Sequence, residues 1–414
     1  MKTKKIYYLI ILVLTGIMIL PACKKKTDDP SAPSVQKLID AVVDSIRIDT
    51  ETKLGKAVPT LNIFIQTPHA KYFSSSANAN FQPITADTYF RFASNTKNFT
   101  SAAMLHMKQN GWVNIDDKIT DTMPGMNIPY VPNTPEWDFP YKNQITIKML
   151  LNHSAGVYDV DNDSVPGFGG YSFTAVTQYY EPNHQFNTTE MVNQLTINNL
   201  YYFVPGQGKH YSNTGYAIAG EIIARVYSQH SGQEKHLTDY LHDYLYGNGN
   251  PVPLQMHFPY LASDKDLPSP YSCGYEYAGT STPEEFCSYN MSAQVAEGNG
   301  YSTMRNLNTY IRTLLKGENI LSTESVNLMK TSTTTADTNY GLGCFYVKNL
   351  GYGHNGARIG NLSFMFYDPD NDVSVVCYIN CIDFENFPAN YYAMPDVAYA
   401  VREILGYPGK PEQP

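Results

Sequence analysis

The chain holds little charge and none of the signatures of metal, nucleotide or redox chemistry. Charged residues make up 16% of its 414 residues. It contains no HExxH pair, no GxSxG elbow and no glycine-rich phosphate loop, so zincin, nucleophile-elbow and P-loop chemistries are excluded. The absence of CxxC leaves neither a redox motif nor a zinc ribbon. No basic stretch carries interleaved aromatics, and 38 acidic against 29 basic residues give a formal charge of −9, which excludes nucleic acid as the expected partner. No cofactor is expected. What is present is a foldable composition: 43% hydrophobic and 13% aromatic residues argue against disorder, and a chain this long buries a full core without staples.

Ile6 to Leu20 is an apolar stretch of 15 residues behind Lys2, Lys4 and Lys5. That falls short of the about 20 residues of a spanning helix and reads as a secretory signal. Leu20-Pro21-Ala22-Cys23 resembles a bacterial lipoprotein box, which implies cleavage before Cys23 and a lipid on its sulfur, and hence membrane attachment in the cell envelope. Lys24, Lys25 and Lys26 then face anionic headgroups, and residues 23–34 form a polar, Pro-containing tether. Five further cysteines follow. Cys273 and Cys287 share one Gly/Ser/Pro-rich loop and are able to pair. Cys377 and Cys381, if on one strand, lie about 13 Å apart, beyond the roughly 7 Å limit between Cα atoms.

Helical spacing appears at Val35–Thr50, after Ser94, at Thr189–Asn198, Asn213–Ser228 and Glu234–Tyr246, and most clearly at Met304, Leu307, Ile311, Leu314 and Leu315. Strand patterns occupy Leu61–Gln66, Lys71–Ser75, Tyr340–Val347, Gly353–Ile359, Leu362–Tyr367 and Val373–Asn380, and a last helix is read over Pro395–Leu405. Segments 124–187 and 249–300 read as irregular, apart from a short helix near Ile145–Asn152. Strands at both ends therefore flank a helical, loop-rich middle. The fold class is α+β: one sheet built from both termini (35–93 and 335–410), a second lobe from 94–334, and a cleft between them.

Three short motifs carry the chemistry. Ser94 and Lys97 are three apart at the start of a helix, so they share a face, and a helix N-terminus provides a positive potential while the neighbouring amine assists loss of the hydroxyl proton. Tyr211-Ser212-Asn213 precedes another helix; its phenol becomes a usable base beside a cation, and the Asn213 amide either binds a substrate carbonyl or orients Lys97. His354-Asn355-Gly356 lies on a strand whose glycine lets a substrate backbone approach. Taken singly, each is equally a helix cap, a chance tyrosine or an exposed turn.

Their order and spacing resemble the serine β-lactamase and penicillin-recognising family. FRFASNTKNFTSAAMLHMKQNGWVNIDDKI, ITIKMLLNHSAGV, PGQGKHYSNTGYAIAGEII and GHNGARIGNLSFMFYDPDNDVSVV are similar to its characteristic segments, and the likeness covers about residues 35–406. The resemblance implies a β-lactamase/transpeptidase-like fold, with an antiparallel sheet flanked by helices and the active site in the cleft. It implies Ser94 as acylated nucleophile, Lys97 and Tyr211 sharing proton transfer, Asn213, His354 and Gly356 meeting substrate, and the N–H groups of Ser94 and Ala357 as oxyanion hole. The substrate is then a small molecule or peptidoglycan-like. His354 stands where many members have Lys, which points to a D-Ala-D-Ala carboxypeptidase-like peptidase or an esterase. A true β-lactamase and an inactive binder of cell-wall fragments are the alternatives.

Four further expectations follow. His354 titrates and places a limb near pH 6–7 in the activity profile. Arg358 points to solvent, with a substrate carboxylate as its alternative partner. Asp159, Asp161 and Asp163 lack the glycine and closing Glu of a calcium loop and form a solvated turn. His106 and His153 are structural.

Overall fold

The computed structural model describes residues 34–412, and the signal and Cys23 readings lie outside them. Its strands are β1 (Thr60–Gln66), β2 (Lys71–Ala77), β3 (Tyr89–Arg91), β4 (Met256–His257), β5 (Gly274–Tyr277), β6 (Glu284–Phe286), β7 (Tyr301–Thr303), β8 (Phe345–Val347), β9 (Gly351–Arg358), β10 (Asn361–Asp368), β11 (Val373–Ile379) and β12 (Cys381–Asp383). Its α-helices are α1 (Val35–Leu54), α2 (Thr96–Gln109), α3 (Ile147–Leu151), α4 (Phe173–Tyr180), α5 (Thr188–Asn198), α6 (Asn213–Ser231), α7 (Leu237–Leu241), α8 (Met304–Leu315), α9 (Thr323–Thr331) and α10 (Phe387–Ile404).

The main sheet joins both ends of the chain in the order β2-β1-β11-β10-β9-β8, with every neighbouring pair antiparallel. Period-two alternation sends its side chains to two buried faces. Ile63, Ile65, Phe364, Phe366, Val375 and Cys377 enter one core cluster, where Ile39 and Val43 of α1 and Met394 and Val397 of α10 cover them. Phe64, Met365, Tyr367, Val376 and Tyr378 enter the other, shared with α2 and α8. A sheet covered on both sides explains why β11 reads VSVVCYI without polar alternation.

Several expectations hold: β1 and β2 pair antiparallel, α8 begins at Met304 and Cys273 bonds Cys287; Cys377 and Cys381 are free and buried, on β11 and β12 and not on one strand. The last helix starts earlier than read, at Phe387, with Pro395 inside it; burial of Ala393, Met394, Val397 and Ala398 against the sheet outweighs the hydrogen bond that proline removes. The short helices α4 and α9 arise where Ser172 and Ser322 cap the first turn by accepting from the N–H groups of Ala175 and Ser325. Tyr340 stands outside the strand read over Tyr340–Val347, which shrinks to β8.

Arg402 ties α10 to the end of β10. Its side chain is fully buried, with Nη2 donating to Asp368 Oδ2 at 2.7 Å and Nε to the Pro408 carbonyl at 2.9 Å. Arg402→Met should destabilise the protein by about 3–5 kcal/mol, because Asp368 is left charged and buried. The midpoint of urea unfolding reads this directly, and an unchanged midpoint would show the pair to be dispensable.

Candidate active site

Ser94 sits on a 3₁₀ turn, Ala93–Asn95, between β3 and α2. Ala93 is held at φ 47°, a left-handed conformation costly for a residue with a Cβ. Local bonds hold it there. Asn95 Nδ2 donates to the Phe92 carbonyl and to Ser363 Oγ, both at 2.9 Å, and Thr96 Oγ1 donates to the Ala93 carbonyl at 2.8 Å. Strand β9 presses on this turn. A Cβ on Gly356 would stand 2.3 Å from the Phe92 carbonyl oxygen and 2.8 Å from the Ser94 nitrogen, so glycine is required by contact and not for its φ.

Lys97 follows one turn later and is wholly buried. Its Nζ donates to Ser94 Oγ (3.1 Å), Asn213 Oδ1 (2.7 Å) and the carbonyl and Oε2 of Glu297 (3.0 and 3.1 Å). It also lies 4.7 Å from the centre of the Tyr211 ring and 5.5 Å from that of Tyr216. Burial opposes the ammonium, but Tyr211 and Glu297 outweigh it and raise its pKa. Burial raises the Tyr211 phenol in turn, with Lys97 and Ser94 opposing. At rest the pair is a lysine cation beside a neutral phenol, because a phenolate would also meet the Glu297 carboxylate.

The acidic turn corrects two expectations. Asp159 and Asp161 are buried, not solvated. Asp159 Oδ2 accepts the Asn213 backbone N–H at 3.0 Å, and Asp161 Oδ2 accepts Asn213 Nδ2 at 2.7 Å. This turns the Asn213 oxygen onto Lys97. Arg358 does not point to solvent; its guanidinium forks onto Asp161 at 2.7 and 3.2 Å, geometry that suits a carboxylate. An unbroken polar chain runs Arg358–Asp161–Asn213–Lys97–Ser94.

His354 corrects a third. It is fully buried, with Nδ1 2.6 Å from the Asn355 carbonyl and Nε2 2.9 Å from the Tyr340 hydroxyl. Nδ1 therefore carries the proton and Nε2 accepts from Tyr340. His153 Nε2 lies 3.2 Å from the same hydroxyl, while its Nδ1 accepts the Ser212 N–H. One tautomer of each ring satisfies the whole chain with both histidines neutral. Burial, then Lys97, pushes His354 down to about 3, so it supplies no limb near neutral pH. It supports the wall from behind and does not line the cleft. His153 is structural as expected and packs on the Tyr211 ring at 4.3 Å.

Ser94, Tyr211, Asn213, Gly356 and Ala357 line one open cleft of about 370 Å³. Both segments that read as irregular contribute to it, through Asn162 and through Glu297-Gly298, and α10 adds Phe387 and Tyr391. Glu297 is the functional candidate that the sequence reading missed. A lone acid in AEGNG offers no spacing to Lys97, 200 positions away.

The sequence profile of the family described as Beta-lactamase matches residues 66–398. A penicillin-binding protein of Bacillus subtilis (strain 168) is 28% identical over 146 residues, 35% of this chain and 27% of the relative. Protein flp of Staphylococcus aureus (strain MW2) is 28% identical over 197 residues, 47% of this chain and 32% of the relative. The matches thus span about a quarter to a third of these curated relatives. The D-amino acid amidase of Ochrobactrum anthropi SV3, solved with D-phenylalanine, superposes with TM-score 0.67 at 20% identity over 90% of this chain and 99% of its own. The penicillin binding protein from Bacillus halodurans does so with TM-score 0.62 at 19% identity over 85% and 97%. At these identities the two structures show the fold: helices around antiparallel sheet, as the resemblance implied.

The contact of Gly356 with the Ser94 turn makes a direct test. Gly356→Ala should leave the protein folded but drive β9 away from Ser94, with a loss of turnover on the order of 10²-fold, the scale of a 1 Å misplacement at a reacting centre. Wild-type turnover in that variant would show that the approach is not needed.

Proposed function

Since the chain belongs to the beta-lactamase family of serine hydrolases, we propose that it works through a covalent acyl-enzyme on Ser94. The observation that carries this reading is the 3.1 Å contact of Ser94 Oγ with a buried lysine amine, at the mouth of a cleft and on a strained turn. Lys97 and Tyr211 handle the proton, Asn213 orients Lys97, and the N–H groups of Ser94 and Ala357 receive the oxyanion.

The activity is that of a D-Ala-D-Ala carboxypeptidase-like peptidase or an esterase, with weak selection for a substrate carboxylate and a preference for uncharged esters or amides. Amides of D-amino acids belong to the same class, given the amidase likeness. The cleft's electrostatics support this. Arg358, the cation among the described residues that line it, is engaged by Asp161, and His354 is neutral, so no free cation is offered to a substrate carboxylate. Penicillins should acylate slowly and leave slowly. The proposal includes a lipid anchor at Cys23, supported by the Leu20–Cys23 sequence, with the enzyme held at an envelope membrane.

A fluorescent penicillin or fluorophosphonate should label the wild type stoichiometrically and Ser94→Ala not at all; a labelled or active Ser94→Ala protein would end the assignment. Nitrocefin turnover beside esters, D-amino-acid amides and D-Ala-D-Ala peptides then decides the class. Nitrocefin kcat/KM within the roughly 10⁴–10⁸ M⁻¹s⁻¹ of enzymes on their own substrates would make the protein a β-lactamase. Cys23→Ser should move the protein from the membrane to the soluble fraction with activity unchanged, and its retention on membranes would remove the anchor.

A further inference from the structure

We propose that Glu297 is the terminal acceptor of the Ser94 proton and takes it through Lys97. The inference rests on Ser94 being the acylated nucleophile. Ser94 Oγ, Lys97 Nζ and Glu297 Oε2 form a continuous line with links of 3.1 Å each. An ammonium has three N–H donors and no lone pair, so Lys97 accepts from Ser94 only if one of its own protons leaves. Among the described groups in hydrogen-bond contact with Nζ, Asn213 Oδ1 and the Glu297 carbonyl are amide oxygens, Ser94 Oγ is the hydroxyl itself, and Tyr211 is a phenol that burial keeps neutral. The Glu297 carboxylate is the contact basic enough to receive it.

A comparison with the buried carboxylates of the acidic turn supports this: Asp159 accepts from the backbone N–H groups of Asp161 and Asn213 and from Asn162 Nδ2. Asp161 is saturated: it accepts from Thr174, Gln294, Asn213 and Arg358, which holds it ionised. Glu297 accepts from Lys97 alone through Oε2, and its Oε1 is buried with no partner among the described residues. A half-satisfied, desolvated carboxylate binds a proton readily. Burial pushes Glu297 up to about 7; Lys97 opposes, Asp161 adds and Arg358 opposes. Such a value suits a base at neutral pH. Lys97 faces it from α2, Arg358 from β9, Asp161 from the acidic turn and Tyr211 from the segment before α6, while His153 and His354 behind them stay neutral.

In the step, the Ser94 O–H breaks and a Lys97 N–H forms, while another Lys97 N–H breaks and the Glu297 O–H forms. Ser94 Oγ adds to the carbonyl carbon and the π pair moves to the carbonyl oxygen. Lys97 ends as the ammonium it began as, and the negative charge has moved from Glu297 to the oxyanion. When the leaving group departs with its bonding pair, the proton returns through Lys97 to that group. Glu297 thus acts through another residue and is a positioning residue for the proton.

The test follows fluorophosphonate labelling of Ser94 in the whole protein by intact mass, from about pH 5 to about pH 9, a range that brackets Glu297. The wild-type rate should fall below a limb near 7, where Glu297 takes up its proton. Glu297→Gln should label some 10²–10⁴-fold more slowly, the usual yield of a general base, and lose that limb; Glu297→Asp should regain it. Wild-type rate and limb in Glu297→Gln would overturn the proposal and leave the proton with Tyr211. If circular dichroism shows Glu297→Gln unfolded, the wild-type profile decides, and a profile without an acid limb near 7 overturns it. A wild type that labels at no pH would instead end the acyl-enzyme reading on which the proposal stands.

Discussion

A buried lysine cation organises this molecule. Removing an ammonium from water costs several kcal/mol unless a counter-charge and hydrogen-bond acceptors replace its hydration. Lys97 is fully buried, and its acceptors come from positions 116 and 200 residues further along the chain. The helix bearing Asn213 and the loop bearing Glu297 must therefore dock on α2 together, since either alone leaves the charge unmet. The acidic turn extends the same requirement outward: Asn213 is held by Asp159 and Asp161, and Asp161 in turn by Arg358 of the sheet. One desolvated charge thus couples the helical middle of the chain to the strands from its ends.

Both cations of the network are paired. Lys97 faces Glu297, Arg358 faces Asp161, and the histidines are locked as neutral tautomers through Tyr340. A site whose two cations are already engaged steers anionic ligands weakly. Beside Lys97 a carboxylate oxygen of Glu297 is left without a partner among the described residues, which directs attention to proton handling more than to ligand charge.

The sheet supplies the rigid edge against which this occurs. β9 is paired with β10 along Tyr352–Arg358 and with β8 at Gly351–Gly353, and beyond β8 its Gly356 meets the backbone of the Ser94 turn without a side chain between. The strain at Ala93 persists because Asn95, Thr96 and Ser363 bond the turn from three directions. Ser94, the start of α2 and the strand edge are one packed unit.

Much of this was legible in the linear text. Ser94–Lys97, Tyr211–Asn213 and His354–Gly356 are local patterns; continuous apolar runs mark β1, β10 and β11, buried on both faces, and period 3.6 marks α8, buried on one. What tertiary structure alone decided are the properties set by distant neighbours. Arg358 and the Asp159–Asp161 turn read as solvated because charged residues usually are, and the burial of the two carboxylates and the pairing of Arg358 depend on partners brought together across nearly 200 positions. His354 read as titrating because an isolated imidazole does so near neutrality; Tyr340 and the surrounding core made it a neutral brace. Glu297 had no pattern to be found by, since its meaning lies in a 3.1 Å distance to Lys97. Local order follows from residue type and spacing, whereas the charge state of a buried group follows from what the folded chain places beside it.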